Sequence, residues 1–237
     1  VTTPAASTFR LAIVPGVTPA KWVRTFAQRR PEPLELLPCD NTAHAIAQLS
    51  DGVAHAALVR EPPASTPNSI SLYDETTVAV VGKDHLFTAA TEVSVIDLAD
   101  EPLLIPLDDP LTWDDRPGAV VEHRPPTVSD AIELVAAGVG VLLVPMSLAR
   151  LHHRRDITFR PVRRAPTTPV ALVWAESSPA VEEFIGVVRG RRANSSRGQS
   201  APAPKRSAKE KMLAKRAARE AAGKTPKSSK RGRPRHR

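Results

Sequence analysis

The sharpest change of hydrophobic period falls between residues 127 and 145. Ala131, Ile132, Leu134, Val135 and Ala136 recur at helical spacing, whereas 139–144 is an unbroken apolar, largely β-branched run closed by Pro145. The first pattern predicts a helix, capped by Thr127 or Ser129 and ended by Gly138 in the left-handed conformation that helix C-termini favour. The second predicts a strand buried on both faces, as in a parallel sheet. A helix feeding such a strand through a short glycine turn is half of a βαβ unit. In sheets of that kind, ligands sit beyond the carboxyl ends of strands and against helix N-termini. Residues 127–129 and 144–146 are therefore candidate pocket edges.

The same alternation of periods runs upstream and downstream. Residues 10–14 read as a strand ended by Pro15 and Gly16. Thr18 as N-cap and Pro19 as first helical residue then open a helix with Trp22, Val23 and Phe26 inward. A second strand at 34–37 leads to a helix capped by Asp40, Asn41 or Thr42, with Ala43, Ile46, Ala47 and Leu49 inward and Gly52 at its end. Strands follow at 54–59 and 69–82, beyond a proline-rich connector at 60–67. A short helix at 95–99, strands at 103–106 and 119–122, a helical turn at 148–153, strands at 157–162 and 169–174, and a helix at 179–192 complete the pattern. That last helix places Val181, Phe184, Ile185 and Val188 inward. Alternating short strands and helices predict an α/β fold.

Charge divides the chain. Residues 193–237 hold 15 Lys and Arg against 2 Asp and Glu, net +13, whereas residues 1–192 hold 18 against 23, net −5. A mildly acidic body thus carries a strongly basic tail. The polar stretch 193–204 reads as a linker. Residues 207–222 can form a helix behind a Ser207/Glu210 capping box, marginal in water on its own. The single cysteine, Cys39, leaves no partner for an internal disulfide and no multi-cysteine metal site. Neither a signal peptide nor a membrane span is expected, so a cytoplasmic, nucleoid-associated location is the default.

Seven stretches in order resemble the effector-binding domain of LysR-type transcriptional regulators, and through it the type II periplasmic binding proteins. They are FRLAIV at 9–14, LELL at 34–37, IAQLSDGVAHAALV at 46–59, LYDETTVAVV at 72–81, HL at 85–86, VIDLADEPLLI at 95–105 and GVGVLLVP at 138–145. The resemblance spans about residues 8–190. It implies two Rossmann-like lobes joined by two crossing strands, near 73–76 and 159–162, within a domain at 8–192. Lobe one would be 8–74 and 162–192, and lobe two 75–161. The family's lobes pair as dimers, so a homodimer is expected.

Mapped by position, the resemblance lines the interlobe cleft with Thr18, Asn41 and Thr42 from lobe one. Lobe two would add the stretch from Leu107 to Thr112, then Thr127, Ser129, Pro145 and Met146. Hydroxyls, amides and free N–H groups at helix N-termini favour an anion, which points to a small organic acid or amino acid as effector. Arg60 reads more naturally as a solvated loop arginine than as a ligand contact. Asp108 and Asp109 oppose an anion if they point inward. Family members carry a winged helix-turn-helix before this domain. Only about eight residues precede the first strand here, so that DNA reader is expected to be missing.

The tail supplies a different candidate. Lys230, Arg231, Gly232, Arg233, Pro234, Arg235 and Arg237 resemble an AT-hook of the high-mobility-group A type, with lysine where the strict form has proline. Glycine lets the backbone lie on the minor-groove floor, and the flanking arginines extend along a narrow, negative A·T groove. The remaining cations would neutralise phosphates in any duplex or other polyanion. Enzyme chemistry finds little footing. There is no G-x-S-x-G elbow and no phosphate-binding glycine loop. His152 and His153 are adjacent and cannot share a helical face as metal ligands, so they are expected at the surface, and no cofactor is expected. The reading is a ligand-responsive, DNA-binding transcription regulator whose basic tail contacts DNA. The alternatives are a plain small-molecule-binding protein or a dimerisation partner of a complete LysR regulator, with a tail that binds polyanions nonspecifically.

Overall fold

The computed structural model describes residues 8–66 and 68–191. The expected linker, tail helix and hook at 193–237 lie outside the described residues. Two sheets organise the described chain. The first has strand order β2-β1-β3-β11-β4, built from β1 (Phe9–Ile13), β2 (Leu34–Pro38), β3 (Ala56–Arg60), β4 (Asn68–Glu75) and β11 (Thr168–Trp174). The second has order β6-β10-β5-β9-β7-β8, from β5 (Thr77–Gly82), β6 (Val93–Ser94), β7 (Pro102–Leu104), β8 (Ala119–Val120), β9 (Val141–Pro145) and β10 (Ile157–Arg163). The helices are α1 (Ala20–Arg29), α2 (Thr42–Ser50), α3 (Val128–Ala136), α4 (Met146–Leu151) and α5 (Pro179–Val188). The fold is α/β, of the two-lobed periplasmic-binding-protein-like kind.

Lobe one is held by an aromatic centre. Phe9 stacks on Phe26 of α1 at 5.0 Å between ring centroids, and Phe184 of α5 meets them at 5.5 and 5.8 Å. All three rings are buried. Burying one such ring stabilises by roughly 1.5–3 kcal/mol. His55 also stacks on Phe9, and its Nδ1 accepts the Arg10 N–H at 2.9 Å. Burial, and then the Arg10 charge, push this imidazole below the ordinary histidine value.

Lobe two shows why the run at 141–145 is continuously apolar. Val78, Val80, Leu142 and Val144 face α3 and α4 on one side of the sheet. Ala79, Val81, Val141 and Leu143 face Phe87, Leu98 and Leu111 on the other. A strand covered on both faces needs no polar alternation. The sheet is mixed rather than parallel, since β9 runs parallel to β7 but antiparallel to β5.

The α3 boundaries follow local chemistry. Thr127 is the cap, accepting the Asp130 N–H at 3.1 Å while the Asp130 carboxylate accepts the Thr127 N–H, a reciprocal capping box. At the other end Gly138 has φ +77°, and the Gly138 and Val139 N–H groups return to the carbonyls of Val135 and Leu134. That is the Schellman closure.

Four expectations shift. α1 begins at Ala20 with Pro19 at its cap, and Thr18 Oγ1 turns back to the Gly16 carbonyl instead of capping the helix. α2 is capped by Asn41, but its buried residues are Ala45 and Leu49, with Ala43 and Ala47 exposed. Alanines at 43, 45 and 47 leave the inward face undecided in the sequence, and the side that meets β3 takes it. α5 ends at Val188, where Gly190 at φ +68° closes the helix, so Val187 rather than Val188 is buried. The return crossing falls at 164–167 rather than 159–162. β10 stays in the second sheet through Pro161, opposite Val78, and Arg163, opposite Ser94, before Arg164 turns the chain at φ +64°. The outward crossing passes at Thr76. Thr77 Oγ1 donates to the Pro166 carbonyl at 2.6 Å, tying the two crossings together. No helix among the described residues is long and apolar enough to cross a membrane.

Candidate ligand-binding cleft

A cavity of about 610 Å³ opens between the lobes. It lies beyond the carboxyl ends of β1, β2, β3 and β7, the place where α/β sheets put ligands. Lobe one contributes Val14, Pro15, residues 40–43, Arg60 and Glu61. Lobe two contributes residues 107–110, Thr112, Thr127, Val128, Ser129, Leu148, Leu151 and His152. Of the residues singled out in the sequence, Asn41, Thr42, Leu107, Thr112, Thr127 and Ser129 meet here. Thr18 and Met146 do not. They line a neighbouring cavity of about 530 Å³ with Tyr73, Ser147 and Arg150. Pro145 lines neither, because it is the buried last residue of β9, paired opposite Thr77.

Arg60 departs furthest from expectation. It is 5% exposed, not solvated. Its Nε donates to Glu75 Oε2 at 2.6 Å, Nη1 to the Pro15 carbonyl at 2.7 Å and Nη2 to Ser147 Oγ at 2.7 Å. Glu75 is itself buried at the end of β4. One guanidinium therefore joins β3, the loop after β1, the outward crossing and α4 of the other lobe. Gly16 makes the junction close enough. It has φ +80°, and a Cβ there would stand 2.9 Å from Ser147 Oγ and 3.1 Å from Arg60 Nη2.

A second bond between lobes joins Thr112 Oγ1 to the Glu61 carboxylate. Glu61 has φ +44°, a left-handed conformation that costs a non-glycine residue about 1–3 kcal/mol. It follows the buried end of β3 directly and turns its side chain across the cleft. Thr42 Oγ1 donates to the Arg60 carbonyl at 2.7 Å, fixing the start of α2 against the same strand end.

The carboxylates differ among themselves. Asp109 forms an ion pair with Arg116 at 2.6 Å and accepts the Leu111 N–H at 3.1 Å. Asp108 has no such cation. Its Oδ1 is buried without a hydrogen-bond partner among the described residues. Burial pushes the Asp108 carboxyl above the usual carboxylate range, against the pull of the Val128 N–H at the start of α3. Sequence reasoning set Arg60 aside as solvated and did not name Val14, Pro15, Ala43, Glu61, Leu148, Leu151 or His152 as lining residues. His152 is half-buried at the end of α4 rather than a plain surface residue. Its only sequence signal was its place in the helical turn expected at 148–153. Cys39 is buried beside the α2 cap, and burial pushes its thiol up.

The LysR substrate binding domain family matches residues 3–193. The chain belongs to that family. A probable hydrogen peroxide-inducible genes activator from Mycobacterium avium is 28% identical over 211 residues, covering 79% of this chain and 66% of that protein. The chain thus spans just under two thirds of the length of this curated relative. Among solved structures, the reduced form of OxyR superposes with a TM-score of 0.64 at 23% identity, over 78% of this chain and 96% of that one. The BenM effector binding domain with its effector benzoate gives 0.63 at 22%, over 77% and 93%. These likenesses establish the fold of this LysR domain.

Proposed function

We propose that the chain is the sensing part of a LysR-type transcription regulator, with a small-molecule effector held at Asn41, Thr42, Leu107, Thr112, Thr127 and Ser129. The observation that carries this reading is the interlobe cavity, walled by strand-end loops of both sheets and bridged by Arg60–Ser147 and Glu61–Thr112. A ligand touching both walls favours the arrangement in which they approach, and shifts the equilibrium by its differential affinity. In a homodimer, hinge closure in each protomer changes how the pair presents its DNA-binding elements.

The basic tail supports a second part of the reading. Its net +13 stands against a body of net −5, so attraction to duplex resides in residues 193–237. Lys230, Arg231, Gly232, Arg233, Pro234, Arg235 and Arg237 would follow an A·T minor groove, and dimerisation would add avidity. A thiol switch internal to these 237 residues has one sulfur, Cys39, and its raised pKa and burial make it a poor nucleophile.

A thermal-shift screen of small acids, amino acids and amines on the full chain tests the cleft. A saturable rise in Tm supports it, and no ligand raising Tm contradicts it. Gel shifts over a salt series, on A·T-rich and G·C-rich duplexes, test the tail. Tight, salt-sensitive binding with an A·T preference, lost on deleting 193–237, is expected. Equal affinity for both duplexes favours a nonspecific polyanion tether, and unchanged DNA binding after deletion removes the tail from the account.

A further inference from the structure

We infer that the cleft selects a ligand with a cationic nitrogen, an ammonium or amidinium group placed between Asp108 and Glu61, rather than a simple carboxylic acid. This rests on the reading of the cleft as an effector site and names the class of effector.

The argument is an inventory of charge on the cavity walls. Arg60 is the one Lys or Arg among the lining residues. Each of its three nitrogens already donates within the protein, one of them to the buried Glu75 carboxylate. Its charge is thus already compensated inside the protein, so it offers an incoming carboxylate far less attraction than an unpaired guanidinium would. Asp109 is likewise satisfied, by Arg116. Asp108, Glu61 and Asp40 remain without a lysine or arginine partner among the described residues.

The helix N-termini, which ordinarily attract anions, already carry acidic side chains of the protein. At α3 the capping box of Thr127 and Asp130 takes two N–H groups, and the Asp108 carboxyl stands against the Val128 N–H. At α2 the Asn41 side chain accepts the His44 N–H, with Asp40 beside it. The protein supplies its own negative groups where a carboxylate ligand would otherwise sit. What the lining residues lack is an uncompensated cation. Asp108 lines the cavity, and its Oδ1 is buried with no partner among the described residues, so the carboxylate is poorly compensated and gains from a charged N–H placed beside it in the cavity. Along the cavity, Val14, Leu107, Pro110, Val128, Leu148 and Leu151 offer apolar surface for the body of the ligand.

The test is calorimetric titration of the full chain at neutral pH with probes that differ in charge: benzylamine, n-hexylamine and agmatine against benzoate, hexanoate and benzamide. The inference predicts that at least one amine binds about tenfold or more tightly than its acid or amide counterpart. Asp108→Asn should remove that preference, and Glu61→Gln should reduce it. Circular-dichroism melts establish that each variant is folded, and Glu61→Gln carries the test if Asp108→Asn is not. A benzoate or hexanoate affinity equal to or above the amines, a benzamide affinity equal to benzylamine, or a preference intact in the folded variants would overturn the inference while leaving the cleft as an effector site. Binding by none of the six would overturn both.

Discussion

Arg60 on lobe one and Asp108 on lobe two line the same cavity, and the protein treats their charges in opposite ways. Arg60 has a carboxylate, a carbonyl and a hydroxyl around it, drawn from three other segments of the chain. Asp108 has a backbone N–H on one side and, on the other, a buried oxygen with no partner among the described residues. A buried charge whose partners are all its own protein's holds segments in place and has little to exchange with a visitor. One left incomplete is where a visitor can gain binding energy. The contrast divides the cleft into a structural wall and a recognition wall.

Substitutions can break that division, in decreasing order of effect. Arg60→Ala leaves Glu75 buried without its cation, which should destabilise by about 3–5 kcal/mol in urea unfolding. Arg60→Met combined with Glu75→Leu should be milder than Arg60→Met alone, because no unpaired charge remains. Should the single and double variants unfold alike, Arg60 is not the structural member of the pair.

Gly16→Ala combines a left-handed φ with a Cβ close to Ser147 on the other lobe, for an expected loss of about 1–3 kcal/mol. Ser147→Ala in the same background relieves the contact with Oγ, and a measurable recovery of stability would localise the clash. Thr127→Ala removes half of the α3 capping box and should cost about 1 kcal/mol. It also tests whether the cap, rather than a ligand, is what Thr127 mainly serves.

Asp108→Asn is expected to move stability the other way. The folded-state pKa of Asp108 is raised, so its ionised form is disfavoured by folding. Besides burial, the Val128 N–H and its own backbone N–H act to lower it, and Asp109 and Asp130 to raise it. The penalty is full above the folded pKa. It shrinks as pH falls through that value and is gone below the unfolded value of about 3.9. The variant should therefore melt higher than the parent at neutral pH and equally near pH 3. His55 runs in the opposite sense. A base with a lowered folded pKa loses stability as pH falls through the ordinary histidine value, about 6.5. Melting curves between pH 8 and pH 5 should show that decline in the parent and a weaker one in His55→Gln.

What was legible in the sequence was local. The Thr127 cap, the Gly138 turn and the doubly buried β9 all depend on residues within a few positions of one another, and periodicity records them. The family likeness added the order of elements, and six of the nine cleft positions it named fall along one cavity. Arg60 was not legible because its partners lie 45, 15 and 87 residues away. A strand-end arginine next to a proline-rich connector looks solvated until the fold brings Pro15, Glu75 and Ser147 to it. The return crossing escaped for a related reason. The alternation at 157–163 identifies a strand, but not which of two sheets it joins. Pro145 and Met146 are neighbours in sequence, yet one closes a buried strand while the other opens a helix toward a different cavity.

The division of the cleft into two walls can be read most directly by nitrogen-resolved NMR of the full chain during a benzylamine titration. The account predicts that the backbone resonances of Asp108, Val128, Glu61 and Thr112 move with one saturable dependence. The Arg60 Nε–H resonance should stay in place, still held by Glu75. Shifts centred on the Arg60 Nε–H, or a matching response to benzoate at Asp108 and Val128, would contradict it.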